Sequence, residues 1–344
     1  MVVLMSDWAT GTSSVPETYI LPPGQRPGKL VFPVLSNVPL IDLENVAGED
    51  QIIPHILEAS QEFGCFYVTN HGVPLQLMGD AMAAVKEFLA TPAENKAKFY
   101  SNSLDSKCRI YSSSINYDSE EVHYWRDNFT HHCHPLDEQI HLWPDNPSTY
   151  RAVIGEYSTQ VRKLLFKILE LFRRGMGLKR AGYFEGPLSG IQLMSVNHHI
   201  PCPDPTLTLG MPQHSDPNLI TVLHQGHVPG LQVFRGGEWV DIEPLPHAFL
   251  VIPGLQLKVI SNGKLNTPKH RVITNAKGGR TTIGTFLNPS QEAVIEAAAA
   301  ADEDSKAYTS FTYKEFFKTF IGSGCDARLA LQCFSSNTSS STKM

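Results

Sequence analysis

Between Leu219 and Pro289 the chain repeats one pattern, an apolar run of four to six residues followed by a turn rich in Gly, Pro or Asn. The runs cover residues 219–223, 231–234, 238–242, 248–252, 257–260, 271–274 and 282–287. Runs this short, set at regular intervals and bounded by turn formers, read as strands of an all-β sandwich or barrel. Gly236-Gly237 and Lys277-Gly278-Gly279 supply the positive-φ residues that tight hairpins need. Pro253 removes a ladder donor, so the 248–252 strand is expected to be bulged or edge-like.

His214, Ser215 and Asp216 stand just before this region, and His270, followed by Arg271, lies 56 positions beyond His214. The pattern places His214 and Asp216 at the start of one strand and His270 at the entrance of another. Residues i and i+2 on a strand share a face, so the two side chains can converge on one ion. Two neutral imidazoles and one carboxylate on one face of an Fe(II) octahedron leave three positions open for a co-substrate and dioxygen. A His-x-Asp pair alone is weak in a chain with 14 histidines, and it gains weight from the strand context and from Arg280 downstream.

Ordered motifs from about residue 38 to about residue 320 add a resemblance. They include Pro39-Leu40-Ile41-Asp42-Leu43, Phe63-Gly64-Cys65-Phe66-Tyr67-Val68-Thr69-Asn70-His71-Gly72-Val73, Tyr124-Trp125-Arg126-Asp127, Gly230-Leu231-Gln232-Val233, Ser261-Asn262-Gly263 and Phe286-Leu287-Asn288-Pro289. With these the chain resembles the plant 2-oxoglutarate/Fe(II)-dependent dioxygenases. Residues 124–135 and the run Asn218-Leu219-Ile220-Thr221 are most similar to the hyoscyamine hydroxylase and deoxymugineic acid hydroxylase branch.

The resemblance implies a mainly β chain with packed helices: a double-stranded β-helix (jelly-roll) core over 181–325 with a C-terminal helix, after a helical and mixed N-terminal region over 1–180. It implies His214, Asp216 and His270 as iron ligands and Arg280 as the grip on the far carboxylate of 2-oxoglutarate, a role that suits a planar bidentate guanidinium. Thr282 falls where relatives carry serine, Asn197 matches the asparagine of an Asn-x-Tyr motif, and Phe286 falls where relatives place an aromatic ring against the substrate. His199 stands where most relatives have the tyrosine that bonds 2-oxoglutarate, and Ile200 replaces the following proline; an imidazole N–H can still donate. Ile252 and Leu255 replace residues that are often Asn and Asp.

The implied reaction is oxidative decarboxylation of 2-oxoglutarate to succinate and carbon dioxide, coupled to hydroxylation of a C–H bond in a small plant specialised metabolite, with ascorbate as reductant. Desaturation, ring closure or demethylation by the same chemistry, or a weakened relative that binds ligand without turnover, are the alternatives.

A formal charge of −6, with 28 basic against 34 acidic residues and no basic run, argues against nucleic acid or an anionic membrane as partner. Residues 1–5 are apolar, but the first basic residue is Arg26, which fits neither a signal peptide nor a membrane span. Six cysteines without C-x-x-C pairing read as reduced thiols, and the expectation is a cytoplasmic monomer. Residues 51–63, 75–90 and 312–320 read as helices, as does the long 3.6-period stretch marked by Ile154, Tyr157, Val161, Leu164, Leu165, Ile168 and Phe172. Residues 107–121 read as a loop bordering the substrate entrance, and 335–344 as a disordered polar tail. The run His131-His132-Cys133-His134 is read as structural, since adjacent residues point to opposite sides; His224 and His227 are read as surface histidines, Trp125 and Trp239 as packing anchors, and His71 as a turn residue.

Overall fold

The computed structural model describes residues 4–29, 31–35, 37–44, 48–298 and 305–336. Twelve of its strands build two facing sheets: β1 Leu40–Asp42, β2 Phe66–Thr69, β3 Cys108–Ser112, β4 Asp127–His132, β5 Ile191–His199, β6 Leu209–His214, β7 Ile220–His224, β8 Leu231–Arg235, β9 Glu238–Asp241, β10 Phe249–Pro253, β11 His270–Ile273 and β12 Arg280–Asn288. The larger sheet runs β1-β2-β10-β7-β12-β5-β4-β3 and the smaller β6-β11-β8-β9. Every pairing within them is antiparallel except β1 with β2. From β5 to β12 the chain crosses between the sheets at every step except the β8–β9 hairpin, which is the jelly-roll arrangement.

The period of two along β4, β5 and β12 sorts their side chains between two environments. One face carries Phe129, Met194, Val196, Ile283 and Leu287 into an apolar core shared with the helices Glu49–Glu62, Leu75–Ala90 and Tyr150–Gly175. The last of these presents Ile154, Tyr157, Val161, Leu165, Ile168 and Phe172, all fully buried, at the spacing that puts them on one stripe. Its end passes so close to the Glu49–Glu62 helix that a Cβ at Gly175 would lie 2.8 Å from Leu57 and 2.9 Å from Ile53, which only glycine avoids. The opposite face of the large sheet looks at the small one. There Tyr67, Leu250 and Ile252 pack on Leu231, Val233, Val240 and Val272, while the other end of the inter-sheet space is polar.

Several local expectations need correction. Residues 257–260 lie in a helix, Leu255–Ile260, not a strand; a short run buried on every side carries no period that separates the two states. The 248–252 strand is neither bulged nor at an edge. It pairs on both sides in unbroken register, because Pro253 is its last residue and the chain turns away at Gly254. The Gly236-Gly237 turn joins β8 to β9 with φ of 59° and 88°, whereas Lys277-Gly278-Gly279 is no hairpin: it carries the chain from β11 in one sheet to β12 in the other. Residues 108–112 of the expected loop form edge strand β3, whose residues Ile110 and Tyr111 are buried. His224 is largely enclosed, with an unpartnered Nδ1, and only His227 is exposed. Of the expected tail, Ser336 donates its N–H to the Ala307 carbonyl; 337–344 lie outside the described residues.

Candidate metal and co-substrate site

His214 is the last residue of β6 and His270 the first of β11, and the two are register partners at the same end of the small sheet. Asp216 lies past the end of β6, so its convergence with His214 comes from the turn that follows and not from a shared strand face. The imidazole Nε2 atoms of His214 and His270 are each 3.5 Å from Asp216 Oδ1. Three ligands about 2.1 Å from a common ion, at right angles, stand roughly 3 Å apart, so the set needs little movement to close on a metal. Among the described residues it is the one group of three His, Cys, Asp or Glu side chains arranged to hold an ion.

The surroundings orient each ligand. His214 Nδ1 lies 2.9 Å from the Pro212 carbonyl and His270 Nδ1 3.1 Å from the Pro268 carbonyl. A carbonyl only accepts, so both Nδ1 atoms carry the proton and both Nε2 lone pairs face the metal position. Asp216 accepts a 2.6 Å bond at Oδ2 from the Thr221 hydroxyl, leaving Oδ1 for the ion. Thr221 in turn accepts from Asn218 Nδ2 at 2.9 Å. Burial pushes the Asp216 carboxyl up, but His270, His214 and Thr221 outweigh it and hold the group below the usual carboxylate range. Burial, reinforced by His214, lowers His270. An ionised Asp216 beside a neutral His270 ring suits a divalent cation. The Asn218 and Thr221 roles were missed from sequence; Thr221 is the second residue of β7, the strand that follows the Asp216 turn.

The second cluster sits on the inner face of the large sheet. Arg280 pairs in register with His199, and Thr282 with Asn197. Arg280 is buried; its Nε donates to the Val228 carbonyl at 3.2 Å, and no carboxylate pairs with it among the described residues. Burial lowers the guanidinium to about 10, so it stays charged at neutral pH. A buried cation without an anion is costly. His199 is also buried, its Nε2 has no hydrogen-bond partner, and burial followed by Arg280 holds it well below the ordinary range, as a neutral ring. The ring lies against β6 so closely that a Cβ at Gly210 would be 2.5 Å from its Cδ2.

Asn197 is placed differently from Arg280. Its Oδ1 accepts from Arg126 at 2.8 Å and from Asn128 at 3.0 Å, within a ladder that continues through Ser195 and Thr130. Phe286, half-buried, shares the face of Arg280 and Thr282, and its ring folds back over Gly284, where a Cβ would meet it at 2.8 Å. His131 is tied to the Tyr150 hydroxyl at 3.0 Å inside the core, which accounts for that histidine structurally. Trp125 is fully buried, Trp239 stacks under the Arg271 guanidinium at 4.3 Å, and His71 accepts the Val73 N–H.

Comparisons with known proteins agree with this geometry. A family model described as the 2OG-Fe(II) oxygenase superfamily matches residues 191–289, and one described as the non-haem dioxygenase in morphine synthesis N-terminal matches 38–146. Hyoscyamine 6-dioxygenase of Hyoscyamus niger is 39% identical over 339 residues, covering 95% of this chain and 96% of that protein. The 2'-deoxymugineic-acid 2'-dioxygenase of Hordeum vulgare is 38% identical over 311 residues, covering 89% and 90%. A crystal structure of JOX2 in complex with 2OG, Fe and JA superposes with a TM-score of 0.84 at 30% identity, covering 98% of both chains.

Proposed function

Because the chain belongs to the 2-oxoglutarate/Fe(II) oxygenase superfamily, an oxidoreductase family that uses iron and 2-oxoglutarate, we propose that it hydroxylates a C–H bond of a small plant specialised metabolite. In this reading His214, Asp216 and His270 hold the iron, and Arg280, Thr282 and His199 receive the far carboxylate of 2-oxoglutarate. The observation that carries it is the pairing of an oriented two-His, one-Asp set with a buried arginine that has no carboxylate of its own.

When bound, iron supplies the redox chemistry: dioxygen is consumed, 2-oxoglutarate leaves as succinate and carbon dioxide, and one oxygen atom goes to the substrate. The protein supplies binding, orientation and exclusion of water. Arg280 offers a charged, planar fork for the carboxylate, and the Thr282 hydroxyl beside it can donate a further bond. His199 is neutral and its Nδ1 lies 3.4 Å from the Arg280 carbonyl, which only accepts, so its unpartnered Nε2 becomes a donor to a carboxylate only when the ring gives up that contact and changes tautomer. Asn197 is tied to Arg126 and Asn128 and so acts by holding β5 against β4, with Thr282 across the ladder. Phe286 provides an apolar wall on the same face, where it limits how the substrate lies.

The test is succinate production from 2-oxoglutarate with Fe(II) and ascorbate. Uncoupled turnover is expected without substrate, rising with the right metabolite and accompanied by a product heavier by one oxygen. Loss of two hydrogens from the product points instead to desaturation, and no succinate under any condition contradicts the reading.

A further inference from the structure

One wall of the metal site opens into a cavity of about 620 Å³, within the range that takes a small organic molecule. His214 and Ser215 line it on the metal side, and the start of the helix Ala327–Gln332 lines it opposite. Its charge is one-sided: Lys258, Lys269 and Arg328 face it, against Asp326 as the single acidic residue. Asp326 Oδ1 caps the Ala327–Gln332 helix by accepting the Leu329 N–H at 3.0 Å, and that bond, with the nearby Arg328 and Lys269 charges, holds its carboxyl below the usual range, so one carboxylate stands against three cations. Among the described residues none of the three cations forms an ion pair. Lys258 is half-buried, and burial lowers its amine below the ordinary lysine range; holding charge there without a counter-ion is unfavourable until an anion arrives. A chain of net charge −6 thus keeps three cations against a single carboxylate around the cavity that touches its metal site.

We propose that the organic substrate carries a carboxylate, held in this cavity by Lys258, Lys269 and Arg328, with the carbon to be oxidised directed toward His214 and the metal. This names a substrate class within the oxygenase reading and rests on it. It also assigns the Ala327–Gln332 helix a part in specificity, because Arg328 reaches the cavity from there.

The experiment uses the full chain loaded with Zn(II) and one equivalent of 2-oxoglutarate, so that no turnover occurs. Phenylacetate, 3-phenylpropionate and octanoate, each beside its methyl ester, are titrated with ligand-detected NMR. At least one acid is expected to bind about tenfold more tightly than its ester, the size of one charge-assisted contact. Arg328→Gln and Lys258→Gln should each remove most of that preference while leaving ester affinity in place; Arg328 is exposed, so its variant folds. Equal affinity of acids and esters, absence of binding by the whole panel, or a preference untouched by both substitutions overturns the proposal. Succinate is measured separately. An acid preference in a protein that never consumes 2-oxoglutarate defeats the oxygenase reading and leaves the anion site standing, whereas turnover without the preference does the reverse.

Discussion

At the scale of single residues, the site depends on side chains that hold other side chains. Thr221 keeps Oδ2 of Asp216 occupied so that Oδ1 faces the ion; Thr221→Val, nearly equal in shape, should weaken metal affinity about 10–100-fold, read by titrating Fe(II) or Co(II) into the protein. Unchanged affinity would show that the carboxylate needs no such support. Arg280→Lys replaces a fork by a point charge, so the 2-oxoglutarate KM should rise while metal affinity holds, and an unaltered KM removes Arg280 from the proposed grip. The triad and Arg280 were legible in sequence because their residue types and order carry the chemistry. Thr221 and Asn218 were not, since a hydroxyl or amide that orients a ligand is defined by where the turn after Asp216 brings it.

Elements set how closely such residues approach. The helix Tyr150–Gly175 and most of the strands were readable from period and turn signals, which local sequence determines. The failures fall where tertiary context decides: 255–260 is buried all round and helical, and 277–279 crosses between sheets instead of closing a hairpin. Leu165 is fully buried on the helix stripe against the large sheet, and Leu165→Ala should cost about 2–5 kcal/mol of stability in denaturant melts. A loss under 1 kcal/mol would mean that the helix packs more loosely than described. Gly210 is where β6 lies against His199. A methyl group there must displace the imidazole, so Gly210→Ala should raise the 2-oxoglutarate KM while the metal, four residues further along, still binds; unaltered KM would show that His199 does not take part.

For the molecule as a whole, buried neutral histidines couple stability to pH. Burial lowers His131 to about 3 and His224 to about 4. Both are expected near 6.5 when unfolded, so below that pH the unfolded chain binds more protons than the folded one. Their contribution is therefore complete above about pH 6.5 and is lost as pH falls toward 4, by on the order of a few kcal/mol each. Tm of the metal-free protein should fall steadily across that window, and a flat profile would contradict the burial of these rings. The central claim, that His214, Asp216 and His270 hold iron next to a 2-oxoglutarate seat at Arg280, is tested most directly by anaerobic addition of 2-oxoglutarate to the Fe(II)-loaded protein while following the visible charge-transfer absorption of the chelate. The account predicts a saturable band in the wild type, its loss in His270→Ala, and a shift to higher 2-oxoglutarate concentration in Arg280→Lys; a wild type without the band, or a His270→Ala variant that keeps it, would contradict the account.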